Sequence, residues 1–238
     1  MQLFRPLRRR YREPEIMDRP DLDEALHVQA LRGLERINWW SGSSGILWPA
    51  VRALARRLQP QPMRLLDVAT GAGDVPLGLW RKARRAGIPL QIEGCDRSPR
   101  AVAHARERAA AAGAEVRFFQ ADALAGPLPA RFDIVTSSLF LHHLAESEAV
   151  NLLREMATAA RHLVLVNDLR RGLSGFLLAH VAGRILSASP VVHVDAPRSV
   201  AAAFTPAEAL ELARQARLAG ARVRRRWPFR FLITWSRG

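Results

Sequence analysis

The feature that most constrains the fold is an alternation of short apolar segments with helix-type segments, which begins near Arg64. The first apolar segment, residues 65–69, leads into the turn sequence Gly71-Ala-Gly and then into a helix-type segment over residues 74–85. Short apolar runs separated by helices are typical of parallel strands joined by crossover helices. The sequence therefore predicts an α/β fold built on a doubly wound, mostly parallel sheet.

Six further strands follow the same pattern. The last two lack an intervening helix and are separated only by a bend at Pro228, so this pair is expected to be antiparallel. Thr205 and Glu208 form a capping-box pattern that predicts the start of the last helix. The six strands are predicted at residues 90–96, 116–120, 132–137, 162–167, 223–227 and 229–235.

Two segments lie outside the predicted sheet. Residues 1–60 have a helical pattern that ends at the sequence Gln59-Pro-Gln-Pro, and residues 61–238 contain the strands. Within the second range, residues 173–204 form a helical insertion after the fifth strand that is apolar in its first half. We expect residues 1–60 and the insertion to cover an apolar pocket over the sheet.

Acidic residues follow three consecutive strands at the edge where an open α/β sheet binds its ligands. Asp67 lies at the end of the first strand, Asp96 at the end of the second and Asp122 just after the third. A single aspartate at such a position more often caps the next helix or turn. Three aspartates at matching strand ends, together with the glycine turn of Gly71 and Gly73, favour a ligand site.

The glycine turn differs from the dinucleotide-binding signature. Gly-x-Gly is followed by Asp74-Val-Pro, so the third glycine is absent. A carboxylate at Asp74 would repel a pyrophosphate at the start of the following helix. The turn therefore favours a ligand without phosphate groups, although a tight turn alone would use the same glycines.

Two histidines, His142 and His143, come shortly after the fourth strand. Histidine titrates near neutral pH and is suited to act as a general base, while packing of the loop is the alternative role. Asp168, at the end of the fifth strand, is expected to orient a histidine, to bind a substrate, or to pair with Arg170 or Arg171. The sequence leaves these roles open.

Residues 64–167 resemble the successive motifs of class I S-adenosylmethionine-dependent methyltransferases. The residues that carry the resemblance are Asp67-x-x-x-Gly71-x-Gly73, Asp96, Asp122 and the strand that begins Phe132-Asp-Ile-Val. The resemblance implies a Rossmann-like sheet of seven strands, with S-adenosylmethionine as the cofactor.

The same resemblance implies a role for each cofactor-binding position. Asp96 would hold the ribose hydroxyls, Asp122 and the backbone N–H of Ala123 would contact the adenine, and Arg97 would lie across the adenine ring. Ser138, or its neighbour Ser137, would lie near the sulfonium. The implied cofactor-binding residues are Asp67, Gly71, Gly73, Asp96, Arg97, Asp122, Ala123 and Ser138.

A histidine pair after this strand is familiar among small-molecule methyltransferases of the ubiquinone, menaquinone and polyketide-tailoring type. The implied function is methylation of a phenol, quinol or polyketide, as in secondary metabolism. O-methylation with His143 as base, or His142 in its place, is the first expectation, and C-methylation of a similar acceptor is the alternative. The expected acceptor contacts are Trp39, Trp40, Asp168 and His193, and no metal site is expected.

The net charge of +14 is compatible with binding to nucleic acid, contact with an anionic membrane, or an arginine-biased composition. Methyltransferases that act on base amino groups usually carry Pro-Pro after the fourth strand, where this chain has Ser137-Ser-Leu-Phe. Lys82 is the single lysine among 36 basic residues, which indicates a compositional bias. The cluster Arg8-Arg9-Arg10 favours, at most, peripheral contact with an anionic membrane.

Cysteine usage and hydropathy indicate the compartment. Cys95 is the single cysteine, which excludes a disulfide framework and a multi-cysteine metal site. We find no secretion signal and no apolar run of the roughly 18 residues that a membrane-spanning helix needs. A cytoplasmic location is therefore expected.

Overall fold

The computed structural model describes residues 7–18, 22, 23, 25, 26, 29, 30, 33, 42–58, 60–129 and 131–237. The predictions that concern Trp39 and Trp40 lie outside the described residues, as does much of the segment 1–60. Over the described ranges, no helix has the length and apolar character needed to cross a membrane.

Seven strands form one sheet in the described part of the chain. They are β1 (Met63–Val68), β2 (Leu90–Asp96), β3 (Val116–Gln120), β4 (Phe132–Ser138), β5 (Ala160–Leu169), β6 (Arg222–Arg226) and β7 (Arg230–Ser236). The α-helices are α1 (Ser43–Leu58), α2 (Asp74–Arg85), α3 (Pro99–Ala111), α4 (Glu146–Ala159), α5 (Leu173–Leu186), α6 (Pro190–Ala202) and α7 (Pro206–Gln215). Short 3-10 turns span Ile16–Asp18 and Leu141–His143.

The strand order is β3-β2-β1-β4-β5-β7-β6. Strands β1 to β5 pair in parallel, and β7 is antiparallel to both β5 and β6. This confirms the predicted mostly parallel, doubly wound sheet with an antiparallel pair at its end. The order reverses between β1 and β4, so the carboxyl ends of these two strands border the crevice where such sheets bind ligands.

Apolar residues on both faces of the sheet explain why its central strands read as near-continuous hydrophobic runs. Leu66 and Val164 belong to a core cluster that includes apolar residues of α4 and α7. Leu65 and Leu165 belong to a second cluster, with apolar residues of α1 and α2, on the other face. Because both faces are buried, polar side chains in β1, β4 and β5 collect at the strand ends, where the chain leaves the core.

The helices α5 and α6 lie after β5, within the range expected for an insertion, and pack against each other. Asp195 of α6 is buried, and its two carboxylate oxygens accept hydrogen bonds from the backbone N–H groups of Ile16 and Met17, each at 3.0 Å. This pair of contacts fixes the N-terminal segment against α6. It thereby places Glu15 close to the residues that follow β4.

Candidate active site

The turn after β1 holds two glycines in the left-handed region, Gly71 with φ +54° and Gly73 with φ +77°. Residues with a Cβ rarely adopt this backbone conformation, so glycine is favoured at both positions. A Cβ on Gly73 would lie 2.8 Å from the Phe118 ring, whereas a Cβ on Gly71 would meet no atom of the described residues within 4 Å. The two glycines therefore differ: Gly71 has no close neighbour in the described part of the chain, and Gly73 allows the turn to pack on β3.

Asp96 joins this turn to the end of β2. Its carboxylate accepts the Gly71 N–H at 2.8 Å and the Ser98 N–H at 2.9 Å. Ser98 in turn caps α3 by accepting the Ala101 N–H at 3.2 Å. The predicted cofactor-binding residues Gly71 and Asp96 are therefore in direct contact, and the carboxylate fixes the shape of the crevice wall.

Asp67 is buried beneath the turn. Its two oxygens accept hydrogen bonds from the hydroxyls of Thr136 at 2.6 Å and Thr70 at 2.8 Å. Burial raises the pKa of Asp67 to about 7, although the two hydroxyls act in the opposite direction. This residue ties β1 to β4 at the switch point, and Thr70 and Thr136 are parts of the site that sequence reasoning missed.

Asp122, Ala123 and Arg97 lie at the outer end of the same sheet edge. Asp122 is exposed, and its carboxylate accepts the Leu124 N–H at 2.9 Å; Ala123 is buried. Arg97 is exposed, and its carbonyl accepts a hydrogen bond from the Gln120 side chain at 3.2 Å. Because Asp96 and Gln120 are in register between β2 and β3, the three aspartates follow neighbouring strands, as the sequence predicts.

Three polar side chains at the ends of β4 and β5 are buried without a hydrogen-bond partner among the described residues. They are Ser137 and Ser138, through their hydroxyls, and Asn167, through both atoms of its amide. Asn167 is fully buried and in register with Ser138. Buried polar groups are almost always hydrogen-bonded, so these atoms indicate a ligand or ordered water. Sequence reasoning missed Asn167, although a polar residue ending an apolar strand was a usable signal.

His142 and Asp168 form a buried pair beside the crevice. His142 Nδ1 lies 2.6 Å from Asp168 Oδ1, and the His142 backbone N–H donates to Asp168 Oδ2 at 3.1 Å. Burial alone lowers the pKa of His142, but Asp168 outweighs burial and the net pKa is raised. Burial likewise opposes ionisation of Asp168, yet His142 keeps its pKa below the usual value. The carboxylate thus orients the imidazole, with Nε2 directed away from Asp168.

His143 packs against His142, with ring centroids 4.2 Å apart. Burial, and then the neighbouring His142, lower the pKa of His143 to about 3, so this imidazole is neutral near pH 7. Glu15 lies on the other side of the pair: its oxygens are 3.8 Å from His142 Nε2 and 4.0 Å from His143 Nε2. Glu15 comes from the distant N-terminal segment, and no local motif marked it in the sequence.

Two described residues, Asp168 and His193, were predicted from the sequence to contact the acceptor. Asp168 contacts His142, whereas Arg171 forms an ion pair with Glu208 at 2.5 Å. His193, on α6, lies with its Nε2 2.7 Å from the Ser187 carbonyl, at the junction of α5 and α6. The structure therefore brings Asp168 together with the histidine pair and holds His193 at the helix junction.

The sheet order, the glycine turn after β1 and the acid at the end of β2 define the class I methyltransferase fold. Residues 65–162 match the family model described as a methyltransferase domain. Residues 65–162 therefore carry a methyltransferase domain, which agrees with the resemblance found in the sequence.

Curated relatives match this domain. The chain is 41% identical over 117 residues to a demethylmenaquinone methyltransferase of Thermus thermophilus. The matched region covers 48% of this chain and 51% of that protein. It is 38% identical over 95 residues to the demethylmenaquinone methyltransferase of Deinococcus radiodurans, covering 40% of this chain and 38% of that one. The chain spans about half the length, or less, of the curated relatives it matches.

Solved structures share the fold over nearly the whole chain. The S-adenosylmethionine-dependent methyltransferase SibL, in its apo form, has a TM-score of 0.65 and 22% identity, covering 97% of this chain and 64% of that one. Magnesium protoporphyrin IX methyltransferase from Synechocystis, with bound S-adenosylhomocysteine, has a TM-score of 0.59 and 15% identity, covering 93% and 91%. At these identities the likeness shows the fold.

Proposed function

We propose that the protein transfers a methyl group from S-adenosylmethionine to a small hydrophobic or aromatic acceptor with a reactive hydroxyl, such as a phenol, quinol or polyketide. The observation that carries this proposal is the buried His142–Asp168 pair, 2.6 Å apart, beside the end of β4 in a methyltransferase domain. The cofactor already carries an activated methyl group, so the protein has to align the acceptor and remove its proton.

The cofactor is assigned to the crevice between β1 and β4. No described residue lies close to a Cβ placed on Gly71, and Asp96 lies at the end of β2, where a carboxylate can accept hydrogen bonds from the hydroxyls of a ribose. The buried hydroxyl of Ser138 and the amide of Asn167 supply polar atoms at the end of β4. Together these groups support a ligand with a ribose at one end and a polar amino-acid portion at the other.

Cofactor binding is tested by titration calorimetry with S-adenosylhomocysteine. We expect the full chain to bind it and Asp96→Ala to weaken binding at least tenfold, because the carboxylate both shapes the turn and faces the ribose position. Glu93→Ala is the matched control, since Glu93 lies on the same strand but pairs with Arg64 at 2.9 Å, away from the carboxyl edge. The absence of binding by the unmodified chain would refute the proposal.

The histidine pair is assigned to the acceptor. Asp168 accepts a hydrogen bond from His142 Nδ1–H, so Nε2 can take a proton from a hydroxyl, while neutral His143 can accept a hydrogen bond from the same group. His142→Ala and His143→Ala are to be assayed for turnover, with cofactor affinity measured separately. If both variants retain the full rate, proximity alone accounts for catalysis and the proposed base is wrong.

C-methylation of a similar acceptor, such as a quinol, is the second candidate. The two curated relatives described above are both demethylmenaquinone methyltransferases. Removal of a hydroxyl proton from a quinol would also activate its ring carbon, so the same residues suit both reactions. Incubation with isotope-labelled cofactor and model phenols and quinols, followed by NMR of the product, separates a methoxy group from a ring methyl group.

We also propose peripheral contact with an anionic membrane, where a lipid-like acceptor would reside. The supporting observation is a row of exposed apolar side chains on α5, spaced four residues apart: Leu173, Leu177, Val181 and Ile185. Arg8 and Arg9 are exposed in the N-terminal segment and supply positive charge. We expect co-sedimentation with phosphatidylglycerol vesicles, weaker binding to phosphatidylcholine, and loss of binding in Leu177→Ser/Ile185→Ser. Equal recovery in the supernatant with both lipids would contradict this.

A further inference from the structure

Three metal-ligating side chains converge beside the crevice. Glu15, His142 and His143 each offer a donor atom, and these atoms all lie within 4.8 Å of one another. They come from two distant parts of the chain, the N-terminal segment held by α6 and the 3-10 turn after β4. No metal site was expected here from the sequence, because no local motif marks Glu15.

The spacing within this cluster suits a shared ion. The distances of 3.8 Å and 4.0 Å from the Glu15 oxygens to the two Nε2 atoms are longer than hydrogen bonds. Zinc-type ions bind imidazole nitrogen and carboxylate oxygen at about 2.0 to 2.2 Å, so two ligands of one ion lie about 3 to 4 Å apart. The observed separations agree with that range.

The surroundings orient all three donors. Asp168 contacts Nδ1 of His142 at 2.6 Å, which fixes the tautomer and presents Nε2 to the cluster, as carboxylates do for histidine ligands in metal sites. The Ser199 hydroxyl donates to Glu15 Oε1 and orients that carboxylate. The tilted packing of the two imidazoles, 34° between ring planes, brings both Nε2 atoms within 4.0 Å of Glu15.

Charge and access also favour a cation. The partly buried carboxylate of Glu15 and the buried carboxylate of Asp168 supply two negative charges, which a divalent ion would balance with the two imidazoles neutral. Arg10, one of several arginines near the histidine pair together with Arg12 and Arg97, directs its guanidinium to the backbone carbonyls of His142 and Leu144, at 2.8 Å and 2.6 Å. The side chain of His143 is 28% exposed, which gives an ion a route from solvent.

We infer that Glu15, His142 and His143 bind a divalent transition-metal ion of the zinc type, with further coordination positions open. A set of two imidazoles and one carboxylate suits transition-metal ions of this type, whereas magnesium and calcium prefer oxygen donors. The binding site itself does not depend on the proposed function; its use in the reaction does. With the ion bound, a coordinated acceptor hydroxyl would lose its proton to solvent more readily; in the metal-free enzyme, His142 takes that proton as proposed above.

The experiment uses the full chain, stripped of metal with a chelator and desalted, and titrated with Co²⁺ while visible absorption is recorded. We expect about one equivalent of Co²⁺ to give ligand-field bands, and Zn²⁺ to abolish them by displacement. Glu15→Gln and His143→Ala should each weaken binding at least tenfold, and Asp168→Asn about 10- to 100-fold through the loss of its contact with His142.

His104→Ala is the matched control, because His104 is a half-exposed histidine with a carboxylate neighbour, Glu107 at 3.9 Å. It should bind Co²⁺ like the unmodified chain. Absence of the bands in the unmodified chain, or an equal loss in His104→Ala and His143→Ala, overturns the inference. Circular dichroism checks the fold of each variant. If Glu15→Gln does not fold, the Co²⁺ affinity of His143→Ala is the test of the inference. S-adenosylhomocysteine titration of the metal-free chain tests the proposed function separately.

Discussion

The Nδ1 atom of His142 lies 2.6 Å from Oδ1 of Asp168, and both side chains are buried at the carboxyl end of the sheet. The pair links two neighbouring strands, because His142 follows β4 and Asp168 lies near the end of β5. Removing its charge without changing its shape is therefore a direct test of the site.

Asp168→Asn should reduce turnover about 10²- to 10⁴-fold, the range associated with losing an oriented base or its partner. The amide keeps the size of the side chain but no longer fixes the tautomer or charge of His142. The affinity for S-adenosylhomocysteine, measured by calorimetry, should change less than threefold. Asp133→Asn, a buried aspartate at the opposite end of β4, is the control and should retain turnover. Similar losses in both variants would show a general effect on the fold.

Stability should fall as the pH rises from about 4 to 7 because of Asp67, whose pKa is raised from 3.8 to about 7 in the folded protein. Between these values the folded state retains a proton that the unfolded state has released, so the free energy of unfolding decreases with rising pH. Asp67→Asn should reduce this dependence by an amount on the order of a few kcal/mol. Urea unfolding at pH 5 and pH 7.5 measures it, and identical differences for both proteins would contradict the assignment.

Gly73→Ala should destabilise the protein by about 2 to 4 kcal/mol, since it combines an unfavourable φ of +77° with a Cβ 2.8 Å from the Phe118 ring. Gly87→Ala is the control: its φ is +63°, but its Cβ would meet none of the described residues within 4 Å, so a loss of about 1 to 2 kcal/mol is expected. Thermal and urea unfolding give both values. Equal losses at the two glycines would remove the packing role assigned to Gly73.

Arg10→Ala should loosen the N-terminal segment that carries Glu15. The Arg10 guanidinium donates to the Ala202 carbonyl at 2.6 Å and lies 3.7 Å over the Phe204 ring, in addition to its contacts after β4. We expect a loss of about 1 to 3 kcal/mol, because several carbonyls lose a charged donor. Cleavage by trypsin near Arg12 should accelerate, whereas Arg9→Ala, an exposed residue, should leave the cleavage rate there unchanged.

The sequence by itself determined the order of strands and helices, the glycine turn and the aspartates at three strand ends. These features are local: apolar runs, capping residues and glycine conformations depend on neighbours along the chain. Parallel pairing then brings the carboxyl ends of the strands to one edge, so Asp67, Asp96 and Asp122 could be assigned to that edge before the structure was known.

The tertiary structure decided which side chains meet there. Glu15 reaches the histidine pair only because Asp195 of α6 holds the N-terminal segment, and this long-range contact leaves no periodic signal in the sequence. The partner of Asp168 was likewise open, because His142, Arg170 and Arg171 are all close in sequence to the strand ends. Asp168 is buried, and a buried carboxylate requires a partner that can approach within hydrogen-bond distance. The packing of the folded chain determines which side chain does so, and here it is His142.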